Sequence, residues 1–136
     1  MWLACILLLG QEVISQKHFP HQFKNCMQVS AAASQVGLDP HLIAAIAYNE
    51  SRFFRRRTSD KGAQGILQVI PKYWCKRRRN CDYQAAGLRA WKTYRDMSKT
   101  NREALCRYSS GRTCKQSRAA RRYARKVLRT YYLIKL

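Results

Sequence analysis

The residues with the clearest chemical potential lie between Asp39 and Gln68, and one of them is a carboxylic acid in an apolar setting. Glu50 closes the run Leu42-Ile43-Ala44-Ala45-Ile46-Ala47-Tyr48-Asn49. At helical spacing, Ile43, Ile46, Ala47 and Glu50 share a face, so the glutamate projects from the core side. Burial disfavours the carboxylate, and so does a position near a helix C-terminus. Both push toward the protonated form, which is what a general acid needs near neutral pH. Few other acids are available: Glu12, Asp39, Asp60, Asp82, Asp96 and Glu103 complete the set. Asp60 is the one near Glu50 in sequence, on the loop that follows it.

The elements that must hold Glu50 can be read around it. Asp39 is a helix N-cap and Pro40 suits the first helical position, so a buried helix is expected over His41–Tyr48 and on to Glu50. An earlier helix is expected from Phe23 to Val36, with Phe23, Cys26, Met27, Ser30 and Ala31 on one face and Gly37 as its terminator. Lys17–Gln22, with His18, Pro20 and His21, reads as a loop, and its two histidines read as surface residues. Asp82 is positioned to cap a helix over Tyr83–Met97, whose apolar face carries Ala86, Ala90, Trp91 and Tyr94. A short helix is expected over Glu103–Tyr108, ending in a Ser-Ser-Gly turn. A final helix is expected over Gln116–Leu133. Its apolar stripe is Ala120, Tyr123, Ala124, Val127, Leu128 and Tyr131, with Arg118, Arg122, Arg125 and Arg129 beside it.

Glu50-Ser51, Ser59 to Gly62, Gly62-Ala63-Gln64-Gly65-Ile66-Leu67-Gln68 and Pro71 resemble the lytic transglycosylase (SLT-type) domain. That family's pattern is Glu-Ser, a loop, Gly-Ala-x-Gly-Leu-Met-Gln, then Pro. Tyr108-Ser109-Ser110-Gly111 resembles its Tyr-Asn-Ala-Gly, with Ser109 where the family usually has Asn. The order and spacing of three motifs carry the likeness, which runs from about Phe23 to Tyr131. It implies a mainly α, single lysozyme-like domain with the catalytic glutamate at the end of a buried helix.

The resemblance also implies an activity. Glu50 would protonate a glycosidic oxygen of peptidoglycan between MurNAc and GlcNAc, then take the proton of the sugar's own 6-hydroxyl, leaving a 1,6-anhydro end. Ser51, Gln64, Gln68, Tyr108 and Ser109 would contact the substrate. No metal and no cofactor is required. A hydrolytic muramidase using Asp60 is one alternative. A non-catalytic basic binding protein on a lysozyme-like scaffold is another, and it has no need of the Glu-Ser and Gly-x-x-Gln pair.

With 136 residues the chain holds one domain, and an apolar share of 46% is ordinary. The charge is not: 27 Lys and Arg against 7 Asp and Glu give +20, with a pI near 10.4. Such a surface favours anionic partners. Basic runs at Arg55–Arg57 and Lys76–Arg79 suit an anionic wall polymer or lipopolysaccharide, and nucleic acid stays open. The six cysteines point to an oxidising compartment, with Cys75–Cys81 and Cys106–Cys114 as local pairs. The pairing of Cys5 and Cys26 is left open. No Cys-x-x-Cys spacing suggests zinc.

Residues 1–16 begin with an apolar run too short to span a membrane. It reads either as an export signal, with cleavage near Val13–Ser15, or as a helix that packs on the domain over residues 17–136. Cleavage would remove Cys5 and leave an odd number of cysteines. The location expected is periplasmic, secreted or inside a phage virion, acting alone or within a secretion, conjugation or phage assembly.

Overall fold

The computed structural model describes residues 1–10, 17–77 and 79–135. Glu12, the Val13–Ser15 region and Arg78 lie outside these residues. Among the described residues the chain forms seven helices and no strand. They are α1 (Trp2–Leu9), α2 (Phe19–Gln35), α3 (Pro40–Ser51), α4 (Pro71–Trp74), α5 (Tyr83–Asp96), α6 (Asn101–Ser110) and α7 (Arg118–Ile134). None is long and apolar enough to cross a membrane. The mainly α lysozyme-like expectation is met.

Helix α3 sits at the centre, packed between α2 and α7, with α1 against its side. Its sequence explains this. Leu42, Ile43, Ala44, Ala45, Ile46 and Ala47 are all buried, so the helix is apolar on every side through its middle. Asp39 Oδ1 caps it by accepting from the His41 and Leu42 amides at 3.0 and 3.4 Å. The other carboxylate oxygen of Asp39 accepts from the Tyr131 hydroxyl of α7. One acid therefore starts the central helix and fastens it to the last one. Asp82, Thr100 and Ser117 cap α5, α6 and α7 in the same manner.

Several boundaries differ from expectation, two of them with a clear cause. The Lys17–Gln22 stretch is not a loop: α2 begins at Phe19, with Pro20 in its first turn. Proline is tolerated there because the amide it lacks has no partner in a first turn. The early start has a purpose in packing, since Phe19 stacks on Phe23 and Gln22 is buried. At the other end of α2, Ala31 and Val36 are exposed and do not extend the buried face. The Ser-Ser-Gly turn also begins later than expected. Ser109 and Ser110 belong to α6, and Gly111 ends it with φ of 71°.

Three disulfides brace the molecule: Cys5–Cys26, Cys75–Cys81 and Cys106–Cys114. The first ties α1 to α2. Ala4, Cys5, Leu8 and Leu9 of α1 are buried in the common core, while Trp2, Leu3 and Leu7 face outward.

Helix α5 approaches the segment between α3 and α4 at Gly87. A Cβ at this position would lie 2.7 Å from Leu67 Cβ and 2.8 Å from its Cδ1. Only glycine allows that approach.

Candidate active site

Glu50 lies in the last turn of α3, immediately before the chain reverses. The reversal uses two consecutive left-handed residues, Arg52 with φ of 54° and Phe53 with φ of 65°. For non-glycine residues this costs about 1–2 kcal/mol each. Burying Phe53 completely offsets most of that, at about 2–3 kcal/mol. Helix α2 supplies the rest: Gln22 donates to the Arg52 carbonyl at 3.0 Å and Asn25 to the Phe53 carbonyl at 2.9 Å. The left-handed pair is therefore held from outside, and with it the direction in which the end of α3 points.

The residue keeps a water-facing edge, while its carboxyl is mostly enclosed by protein. Burial pushes the carboxyl pKa from 4.5 up to about 7, and interaction with the Tyr123 hydroxyl pulls it partly back. Burial is thus sufficient to keep a large share of the acid, about half at pH 7, protonated, without help from the helix end. The Tyr123 hydroxyl is itself buried and has no partner within ordinary hydrogen-bond geometry, so its contact with Glu50 is a loose one. Tyr108 is the second phenol. Its pKa is pushed well above 10 by burial and by the Glu50 charge. Both phenols remain neutral beside the acid.

The 64–69 segment is sewn to the helices through its carbonyl groups. The Ser51 hydroxyl donates to the Ile66 carbonyl at 2.7 Å, and the Tyr108 hydroxyl donates to the Leu67 carbonyl. Gln68 adopts φ of 52°, and its amide donates at 2.9 Å to both the Arg57 and Gly65 carbonyls. Gln64 pairs its backbone with Val69, and its side-chain oxygen accepts from Thr58 at 3.0 Å. Gly65, with φ of 82°, would bring a Cβ to within 3.2 Å of Tyr83.

The sequence-expected residues thus fall into three groups. Glu50 and Tyr108 are brought together, coupled electrostatically. Ser51, Gln64 and Gln68 lie at the same segment, but the Ser51 and Gln68 donors and the Gln64 side-chain oxygen are already committed inside the protein; Ser51 is completely buried. Ser109 is exposed and donates back to the Cys106 carbonyl of its own helix at 3.1 Å. Asp60 is exposed at the Ser59–Gly62 turn and is not among the groups that perturb Glu50.

Tyr123 is the residue that the sequence reading missed, having been placed in the apolar stripe of the last helix. The available signal was a phenol in a stripe otherwise made mainly of small and aliphatic side chains. Aromatic rings continue outward from Tyr108: Trp91 and Tyr94 meet it edge-on at 6.0 and 6.5 Å, and Trp74 meets Tyr94 at 5.7 Å. Among the described residues no cluster of His, Cys, Asp or Glu could hold a metal ion.

Comparison with known proteins agrees with this arrangement. The transglycosylase SLT domain matches residues 27–128, three quarters of the chain. A protein named transglycosylase from Enterobacteria phage PRD1 is 42% identical over 43 residues, which is 32% of this chain and 16% of that protein. The match therefore spans about a sixth of the relative's length. No solved structure matches. With the Glu-Ser and Gly-x-x-Gln segments inside the matched span, the chain belongs to the transglycosylase SLT domain family.

Proposed function

We propose that this protein is a peptidoglycan lytic transglycosylase that cleaves the β-1,4 bond between MurNAc and GlcNAc with Glu50 as its single catalytic carboxyl group. The observation that carries this reading is the Glu50 carboxyl, raised to about 7 by burial and accompanied by two neutral phenols rather than a second carboxylate.

In the first step Glu50 gives its proton to the glycosidic oxygen as the C1–O bond of MurNAc breaks. The sugar is left with oxocarbenium character, stabilised by the carboxylate just formed and by its own acetamido oxygen. In the second step the Glu50 carboxylate takes the proton of the C6 hydroxyl while O6 bonds to C1. The product is a 1,6-anhydro end; no water is consumed and Glu50 is protonated again. Tyr123 would donate toward the transient carboxylate, which is where charge develops, while the Tyr108 proton stays on the Leu67 carbonyl.

Ser51 and Tyr108 would shape the Ile66–Leu67 backbone. Gln64, Gln68 and Ser109 would meet the glycan through atoms not committed to internal hydrogen bonds, and Ser109 reaches less far than the asparagine usual in the family. Periplasmic, secreted or virion-borne action fits this substrate.

The test is product analysis on purified sacculi. Wild-type protein is expected to release muropeptides lighter by one water than those with reducing ends. Glu50→Gln is expected to lower the rate by about 10²–10⁴-fold. Products with reducing ends would instead favour the muramidase alternative with Asp60, and full activity in the Glu50→Gln protein would remove the assignment altogether.

A further inference from the structure

The outer face of α7 has no place in that chemistry. Arg118, Arg122, Arg125 and Arg129 follow one another at helical spacing and are all exposed. Their direction is opposite to Ala120, Ala124, Val127 and Tyr131, which enter the core. The hollow between the first turns is lined by Arg118, Arg121, Arg122 and Arg125. Arg121 is fixed there by donating to the Cys114 carbonyl at 2.7 Å.

Like charges one turn apart repel and weaken a helix. No acidic residue follows Glu103 in the sequence. Among the described residues none of these arginines meets a carboxylate; the ion pairs lie at Asp39, Asp96 and Glu103. The repulsion is left for an external anion to relieve.

The same face changes character at its end. Tyr132 and Leu133, three and four residues beyond Arg129, continue it and are 63% and 50% exposed. Helix α1 packs against α7 and leaves Trp2 and Leu3 61% and 59% exposed. A phosphodiester backbone offers no contact for such side chains. A lipid headgroup layer offers both phosphate and an apolar boundary, where Trp, Tyr and Leu partition and Arg binds phosphate in a bidentate manner.

We propose that the outer face of α7, with the exposed end of α1, is a docking surface for an anionic lipid membrane. The arginines engage headgroup phosphates along about 16 Å of helix, and Tyr132 and Leu133 enter the interface. The protein would thereby lie on the bilayer without crossing it.

Vesicle sedimentation of the full chain tests this. Wild-type protein is expected to sediment with phosphatidylcholine–phosphatidylglycerol vesicles and to stay behind with phosphatidylcholine alone. Replacing all four arginines by Gln is expected to weaken binding several hundredfold, at about fivefold per charge. The paired variants Arg118→Gln/Arg122→Gln and Arg125→Gln/Arg129→Gln serve if the fourfold variant misfolds, each with roughly 25-fold weaker binding.

Tyr132→Ser/Leu133→Ser is expected to keep binding at low salt and to lose the portion that survives high salt. Cleavage of soluble glycan strands is expected to be unchanged in the paired variants, and the melting temperature unchanged or slightly higher as the repulsion is relieved. Equal binding to both vesicle types, or binding indifferent to the arginine and to the Tyr132/Leu133 replacements, would overturn the proposal. So would tighter binding to duplex DNA than to the anionic vesicles at the same salt, insensitive to Tyr132 and Leu133.

Discussion

The Ser51 hydroxyl and the Ile66 carbonyl are joined by a 2.7 Å hydrogen bond between two buried residues. The same oxygen accepts from the Phe53 amide at 3.1 Å. The residue after the candidate acid therefore belongs to both the chain reversal and the Gly65–Gln68 segment. Ser51→Ala leaves the Ile66 carbonyl and the Phe53 amide bare. The expected cost is about 2–3 kcal/mol, since an unpaired buried group forfeits its full desolvation energy. Denaturant midpoints at constant slope check the stability, and glycan-release rates are expected to fall with it.

The Glu50 carboxyl makes stability depend on pH in a definite direction. Its folded pKa, about 7, lies above the ordinary 4.5, so between those values the native state binds more protons than the unfolded chain. Stability from this group is present below pH 4.5, declines as pH rises, and levels off above 7. The ceiling is roughly 3 kcal/mol, reduced by the water-facing edge of the residue. Glu50→Gln removes the dependence. Thermal melts are expected to show the variant gaining on the wild type between pH 5 and pH 8; parallel curves would contradict a buried acid.

Tyr123 acts on the same equilibrium from the other side. Its interaction lowers the Glu50 pKa, so Tyr123→Phe is expected to raise it further. The alkaline limb of kcat/KM, which follows the protonated acid of the free enzyme, moves upward in pH. The maximum rate falls because the transient carboxylate loses a donor. A variant with a lower rate and an unmoved limb would mean that the phenol only packs.

The Cys5–Cys26 disulfide closes a separation of 21 residues. Replacing both cysteines by Ala is expected to cost about 3 kcal/mol, through the freedom restored to the unfolded chain. Urea midpoints compared with those of the wild type measure it. A loss under 1 kcal/mol would show α1 held by Leu8 and Leu9 alone.

How far such features can be read from sequence depends on the range of the interaction. The Asp39–Pro40 start of α3 is a local signal, and so are the Asp82 cap and the nearest-neighbour cysteine pairs; each was legible. The burial of Glu50 followed from periodicity. The Tyr123 contact joins α3 to α7, 73 positions downstream, and a stripe residue gives no sign of where its hydroxyl ends. Gln22 was misread because Pro20 suggested a loop, whereas a proline in a first turn is compatible with helix. The commitments of Ser51 and Gln68 depend on the path of the 52–68 backbone. Motif spacing implies that a path exists, but its hydrogen bonds come from packing against α2 and α6.

Gly87 gives the far side of this arrangement a mechanical stop. Leu67, against which a Cβ at position 87 would press at 2.7 Å, is the residue whose carbonyl Tyr108 grips. Even one added methyl group must displace Leu67 or push α5 outward, and either movement is transmitted to the phenol beside Glu50. A position with no functional group of its own thus holds a veto over the geometry of the acid. Mutational freedom along α5 ends there, however tolerant the neighbouring exposed positions are.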